Sequence, residues 1–352
     1  MIKNEIGHEV RGKVLGFKMD ANTTFIIGAG GHAPYGFPIS TRLIRDIQMM
    51  HPKFPFGDLE SGVIKKRDMN RRMNSFVNLA YELPYFSNPG NNEREKKSTI
   101  KNSFIYFIEN LGNSQVSSID TFLAKCIEKD NKSLTKIGKF FIACLIYYYE
   151  SNIYIPTLER NWIQQMISTC ILSKDKLKNF LQSPPNFITF NYDMFLEKCI
   201  QSHLISFHRY SKQDSLEVIK KLNIIHVYGN IDSLENKDKI DIIKKSMSQL
   251  NVVGEQSSQL EKVKNDILQK LALTRYLYFL GFGFDEQNMK ILFPNMSLHS
   301  FGRVFSTNIG LSEYDINVIN EKYYSLSLDF SLGVELDCLK MLKEKLTLPS
   351  LY

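Results

Sequence analysis

The sequence predicts an α/β architecture: a doubly wound parallel sheet that carries a large helical insertion. Three observations lead there. The apolar run Phe25-Ile26-Ile27 breaks into Gly28-Ala29-Gly30-Gly31 and is followed by a helical pattern from Ser40, the strand, glycine turn and helix of a phosphate-binding parallel unit. The stretches Thr189-Phe190-Asn191-Tyr192-Asp193, His226-Val227-Tyr228-Gly229 and Gly281-Phe282-Gly283-Phe284-Asp285 repeat the design of an apolar strand that ends in polar or glycine residues. Finally, 352 residues with 43% apolar content and mixed charge suffice for one large domain with an inserted smaller one, or for two. In an open parallel sheet, ligands bind beyond the carboxyl ends of the strands, where four such ends can converge on one nucleotide.

Apolar, β-branched or aromatic runs predict strands at residues 24–27, 187–190, 204–208, 224–228, 276–280, 303–306 and 324–328. Between about Met50 and Ser183 apolar residues recur at helical spacing, over 103–111, 119–127, 137–149, 158–172 and 176–181. Ser183-Pro184-Pro185 then stops the last helix and returns the chain to the sheet. The expected organisation is an N-terminal segment 1–22, a Rossmann-like domain of 23–50 and 184–352, and a helical insertion of 51–183. Residues 88–97, charged and glycine-containing, read as an exposed loop, and 232–239 and 254–258 as polar connections.

The formal net charge of +7 comes from scattered lysines and not from one basic tract, which argues against nucleic acid as a direct ligand. Five cysteines, Cys126, Cys144, Cys170, Cys199 and Cys338, are odd in number and form no C-x-x-C pair, so neither a disulfide framework nor a metal ribbon is expected, and the cytoplasm is the natural compartment. Neither a secretory leader nor a membrane span is legible, because the N-terminus lacks an apolar h-region and the longest apolar run, residues 140–149, is too short.

The glycines Gly28, Gly30 and Gly31 would let backbone approach a pyrophosphate, and Gly36 would permit a second tight turn; an ordinary strand-to-helix turn is the plainer reading. No glycine sits three places after Gly30, which disfavours a plain Rossmann dehydrogenase. Asn191 and Asp193 lie two apart after a strand and share a face if extended backbone continues. A carboxylate beside an amide suits a sugar and a positioned water, and the same pair suits a turn that caps a helix beginning near Met194. His226 ends another strand, on one face with Tyr228. It can exchange protons near neutral pH or serve as a satisfied core residue. His32, inside the glycine turn, can touch ligand.

Together these stretches resemble the sirtuins. Residues 28–38, Gly28-Ala29-Gly30-Gly31-His32-Ala33-Pro34-Tyr35-Gly36-Phe37-Pro38, are similar to the sirtuin GAG-x-S-x-x-x-G-[IL]-P loop, and Thr189-Phe190-Asn191-Tyr192-Asp193 to its TQNID. His226-Val227-Tyr228-Gly229 falls where sirtuins have the HG strand end, Gly281-Phe282-Gly283 resembles GTS, and Thr307-Asn308 resembles the IN that meets adenosine ribose. Phe190 stands for the sirtuin glutamine, Tyr228 for its histidine, and the zinc-ribbon cysteines are missing. The form F-N-Y-D, together with Ser118-Ile119-Asp120-Thr121-Phe122-Leu123 and Gly281-Phe282-Gly283-Phe284-Asp285, resembles the sirtuin-like proteins of bacterial antiphage defence.

That resemblance implies an NAD glycohydrolase, with NAD as substrate and no metal, that gives nicotinamide and ADP-ribose and depletes NAD on phage infection. It implies Asn191 as holder of the attacking water and His226 as partner of the ribose hydroxyl proton, with Tyr228 as the alternative. Asp193 would meet the ribose or nicotinamide, Gly28, Ala29 and Gly30 the pyrophosphate, with Gly31, His32, Gly36 and Gly229 nearby. Gly281, Phe282, Gly283 and Asn308 would surround the adenosine end. A homo-oligomer is expected, and a HerA-type ATPase, an Argonaute-like protein or a phage protein as partner or activator. Two other classes remain: a sensor that holds NAD or ADP-ribose without cleaving it, and a protein deacylase, for which the zinc module is missing from the sequence.

Overall fold

A computed structural model describes residues 19–55, 66–86, 90, 92–153, 161–231, 233–234, 238–255, 257–294, 301–331 and 335–345. Most of the expected N-terminal segment, the start of the 158–172 helix and parts of the three polar connections lie outside these residues.

Six strands, β1 (Thr23–Ile27), β2 (Asn186–Thr189), β3 (Asn223–His226), β4 (Tyr276–Leu280), β5 (Arg303–Ser306) and β6 (Leu328–Asp329), form one sheet in the order β3-β2-β1-β4-β5-β6. Every pairing is parallel. β1 is therefore central, and the winding reverses between β1 and β4, which opens a crevice beyond their carboxyl ends.

Alternation along the strands feeds two cores, one on each face. Ile26, Ile188, Leu277, Phe279 and Val304 face one of them, and Phe25, Ile27, Phe187, Tyr278 and Phe305 face the other. On the second face the rings of Phe187, Phe25, Tyr278 and Phe305 stack across four strands, with successive centroids 5.4, 5.2 and 5.2 Å apart. A sheet buried on both faces needs helices on both.

After the one-turn α1 (Ala29–His32), the helices between β1 and β2 supply both layers. The first core takes α2 (Ser40–Gln48), α3 (Lys66–Glu82), α4 (Glu93–Ser114), α5 (Ile119–Glu128) and α6 (Lys132–Asn152), while α7 (Trp162–Ile171) and α8 (Lys174–Gln182) join α9 (Phe195–Ser206) and α10 (Lys212–Lys220) in the second. Side chains of Asn92, Ser118, Asn131, Asn161 and Ser173 cap α4 to α8 in turn, each satisfying a backbone N–H that the helix start leaves over.

Three sequence expectations differ from the structure. The run at 204–208 is the tail of α9 and the turn beyond it, because Leu196, Ile200 and Leu204 recur every fourth residue and are buried, a helical spacing. Of the run at 324–328, Tyr324–Leu326 form a 3₁₀ turn and only Leu328 enters a strand, since Ser327 takes φ of +50° between them. Glu93 to Lys97 are not loop but the opening of α4, fixed by the 3.0 Å bond from Glu95 N–H to the Asn92 side-chain oxygen.

Candidate active site

A cleft of about 490 Å³ lies beyond β1, β2 and β4, within the size range of small-molecule sites. Of the residues expected from sequence, Gly28, Ala29, Gly30, His32, Asn191, Asp193, Tyr228, Gly281, Phe282 and Gly283 line it; Gly31, Gly36, His226, Gly229 and Asn308 do not.

The glycine turn is built for backbone contact. Gly28 and Gly30 donate their N–H groups to the carbonyls of Leu280 and Gly281, each at 3.0 Å. A Cβ on Gly28 would stand 2.6 Å from the Gly281 oxygen, and Gly281, at φ +56°, would bring its own to 1.9 Å from Gly31 N. These two N–H groups are thus spent on joining β1 to β4, and the glycines serve the meeting of two turns as much as any ligand. Gly283 differs: among the described residues nothing lies within 4 Å of its Cβ position, and it lines the cleft.

Where β2 ends, Asn191 is fixed from both sides. Its backbone N–H donates to the Thr189 hydroxyl at 3.1 Å, and its Nδ2 donates to Gly28 O at 3.2 Å. Two residues on, Asp193 Oδ1 accepts from Phe195 N–H at 3.1 Å and lies 2.8 Å from His32 Nδ1. Asp193 thus lines the cleft, and its bond to Phe195 N–H fixes the turn that leads into α9. Burial would push its carboxyl up, but His32, the Phe195 N–H and, more remotely, His226 outweigh that and hold it below the usual carboxylate range.

His32 is 2% exposed, with the rings of Phe195 and Phe37 at 5.5 and 5.7 Å. Its Nε2 is buried and has no hydrogen-bond partner among the described residues. This imidazole fixes the orientation of Asp193.

The expectation that His226 shares a face with Tyr228 is not met. β3 ends at His226, and a turn with Gly229 at φ +78° comes next, so the two-residue alternation stops there. His226 Nε2 lies 2.7 Å from Glu197 Oε1 on α9, and its Nδ1 donates to Asn191 O at 3.1 Å. Burial disfavours the charged ring, but Glu197, the Asn191 carbonyl and Asp193 outweigh it and raise its pKa. Its side chain supports the Asn191 backbone and does not face the cleft. Tyr228 does face it, with its hydroxyl donated to Asn288 Oδ1 at 2.6 Å and its phenol pushed up by burial. Asn308 turns away as well: its Nδ2 donates to Phe330 O at 3.1 Å and its Oδ1 accepts from Leu336 N–H at 2.6 Å.

Sequence reasoning missed two residues as parts of the site, both from the segment between β1 and β2. Asp120, at the start of α5, lines the cleft and accepts from the Tyr192 hydroxyl at 2.6 Å. Glu150, near the end of α6, accepts from Met194 N–H at 2.5 Å, from Lys198 Nζ at 2.8 Å and from the Ser233 hydroxyl. It thereby holds the turn that carries Asn191 and Asp193. Asp120 stands in the Ser118–Leu123 stretch that carries part of the family resemblance, but nothing in that stretch marks its place in the cleft, and a lone glutamate in a helix carries no signal at all.

Among the described residues that line the cleft there is no lysine or arginine, whereas Asp120, Asp193 and Asp285 are present. Such a lining suits a cation or a sugar. Among the described residues no group of three or more His, Cys, Asp or Glu is arranged to hold a metal, and no helix is long and apolar enough to cross a membrane.

Residues 185–308 match the family model of the SIR2-like domain. The match runs from just before β2 to just after β5. It contains Asn191, Asp193, Tyr228 and the Gly281–Gly283 turn, and leaves out β1, its glycine turn and the helices up to α8. No curated protein matches the chain.

Proposed function

From a chain that carries a SIR2-like domain, a family that uses NAD, we propose an NAD glycohydrolase that splits the nicotinamide–ribose bond to give nicotinamide and ADP-ribose. The observation that carries this reading is the pair Asn191 and Asp193, held by Gly28 and His32 at the carboxyl end of β2, in a cleft at the switch point of the sheet.

Nicotinamide leaves as a neutral ring, so the protein needs chiefly to orient the dinucleotide, stabilise positive charge on the ribose and position water. The Asp193 carboxylate, ionised because it is held low, suits the oxocarbenium-like ribose. Asn191 has its Nδ2 committed to Gly28 and would direct its Oδ1 to the attacking water. The pyrophosphate is assigned to the Gly28–Gly30 turn and the adenosine end to Gly281–Gly283, where the described residues leave space beside Gly283. His226 acts in this scheme through the Asn191 backbone and not on the ribose.

A second reading has one observation in its favour. Tyr228 follows β3, its hydroxyl already bonded, and His226 faces Glu197, an arrangement compatible with a module that holds NAD or ADP-ribose uncleaved. We further propose that hydrolysis serves NAD depletion in antiphage defence, restrained by homo-oligomer assembly or by a partner, since an unrestrained NAD hydrolase would kill its host.

Chromatographic measurement of nicotinamide released from NAD, paired with calorimetric NAD binding, tests both readings. The expected result is release by the wild type that falls at least ~100-fold in Asn191→Ala, the scale of one positioned transition-state group. Binding without release, under conditions that include candidate activators, would leave the sensor reading.

A further inference from the structure

Water attacking C1′ must lose a proton, and the groups so far assigned offer no base for it. His32 has Nδ1 on Asp193 and Nε2 sealed from solvent. His226 has both ring nitrogens engaged outside the cleft. Tyr228 donates its hydroxyl to Asn288 and is pushed up by burial, so it stays a neutral phenol. Asp193 is held low by His32 and the Phe195 N–H, which makes it a weak base. Asp285 accepts from Gln287 and Asn288 N–H at 2.9 and 3.2 Å, as the cap of the helix Glu286–Leu292.

We propose that Asp120, brought over the cleft by the segment between β1 and β2, is the catalytic base that takes this proton. The inference rests on the NAD-hydrolysis reading and adds to it the group that completes the step. Asp120 lines the cleft with Asn191 and Asp193. Its Oδ1 accepts from Tyr192, whose chain neighbours are those same two residues, while among the described side chains its Oδ2 meets the Ser118 hydroxyl, at a long 3.5 Å. The Tyr192 bond thus ties the carboxyl to the turn that would hold the water and leaves one oxygen lightly engaged.

The surroundings suit the task. Burial pushes the Asp120 carboxyl up and the charge of Asp285 adds to the rise, while the hydroxyls of Tyr192 and Ser118 and a backbone N–H draw it down; the net direction is up. One carboxyl raised and another lowered in one cleft is the arrangement that separates a proton-transferring group from a charge-stabilising one. In the step, the C1′–N bond breaks and its electron pair goes to the nicotinamide nitrogen, which becomes neutral. The water oxygen bonds to C1′, its proton passes to the Asp120 carboxylate, and the carboxyl then releases that proton to solvent. The products are nicotinamide, ADP-ribose and one proton.

The test compares nicotinamide release across pH for wild type, Asp120→Asn and Tyr192→Phe, with and without azide, an anionic nucleophile that has no proton to lose. Asp120→Asn is expected to lose about 10²-fold in kcat, the usual worth of general base catalysis, with KM nearly unchanged and the acid limb of the pH profile gone. Azide is expected to restore nicotinamide release, with azide joined to the ADP-ribose. Tyr192→Phe removes a bond that favours the ionised form, so its acid limb should move to higher pH; this variant decides the matter if Asp120→Asn does not fold. A wild-type rate in Asp120→Asn, a loss that azide leaves in place, or an unmoved acid limb in Tyr192→Phe would overturn the assignment. A wild type that binds NAD and releases nothing would instead overturn the hydrolase reading beneath it.

Discussion

His32 Nδ1 and Asp193 Oδ1 meet at 2.8 Å across 161 residues of chain, and the bond joins the turn after β1 to the start of α9. An imidazole in the glycine turn sets the charge of the carboxylate that borders the cleft.

His32→Ala should therefore act on Asp193. A carboxyl whose folded pKa is depressed contributes stability that is present above its unfolded value, about 3.9, and is lost as pH falls through the folded value. Urea unfolding between pH 3 and 7 should show that acid-dependent loss in the wild type and a flatter profile in the variant. The variant should also be less stable at neutral pH, by roughly 3–5 kcal/mol, because a buried carboxylate loses its partner. An equal acid dependence in both proteins would refute the link.

His226 and Glu197 give the opposite slope. A histidine raised in the fold contributes stability that is complete below its unfolded pKa of about 6.5 and is lost as pH climbs through the folded value. Thermal unfolding of the wild type is expected to fall in Tm as pH rises past 6.5. Glu197→Gln should start lower and lose this slope, and a parallel pair of curves would count against the ion pair.

Glu150→Ala should cost about 2 kcal/mol, the worth of hydrogen bonds to a charged group, since Met194 N–H and Lys198 lose their acceptor. Nicotinamide release should drop further than stability does, because the turn with Asn191 and Asp193 is left unheld. Full activity at the lowered Tm would make Glu150 a packing residue only.

Gly281 and Gly283 lie two apart and should respond differently to alanine. Gly281→Ala places a side chain at φ +56° and against Gly31 N, and is expected to cost at least ~3 kcal/mol or prevent folding. Gly283→Ala should fold within about 0.5 kcal/mol of wild type, yet weaken NAD binding by standing in the cleft. Calorimetric titration and urea unfolding of both variants separate the two effects.

The sheet was legible because β1, β2, β4 and β5 are short apolar runs ended by glycine, proline or polar residues, and burial on both faces requires such runs. The end of α9 misled because a helix tail with buried leucines and exposed Ile205 and Phe207 has the composition of a strand. Asn191, Asp193 and the glycine turn could be read since they sit where strands end. The facing of His226 could not: strand alternation fails at the first residue of a turn, and the sequence does not mark which residue that is. The places of Asp120 and Glu150 at the site were beyond reach for another reason, even though Asp120 lies in a stretch that carries the resemblance. Both residues meet the site through helix packing, and no local pattern encodes which distant turn a helix will cover.

The central position of β1 has a consequence for how this chain is made. Thr24 finds its neighbours Asn186 and Thr274 only 162 and 250 residues later. During synthesis the nascent chain must carry a wholly buried strand, Thr23–Ile27, through nearly half its length before either flanking strand emerges. Contacts so distant in sequence slow folding and leave an unpaired strand open to association with other chains. The helices that come first, α2 to α6, bury their apolar faces in the same core as Ile26 and can shelter one side of it while β2 and β4 are awaited. The segment that brings Asp120 to the cleft would thus also act as an internal chaperone for the strand on which the sheet is assembled.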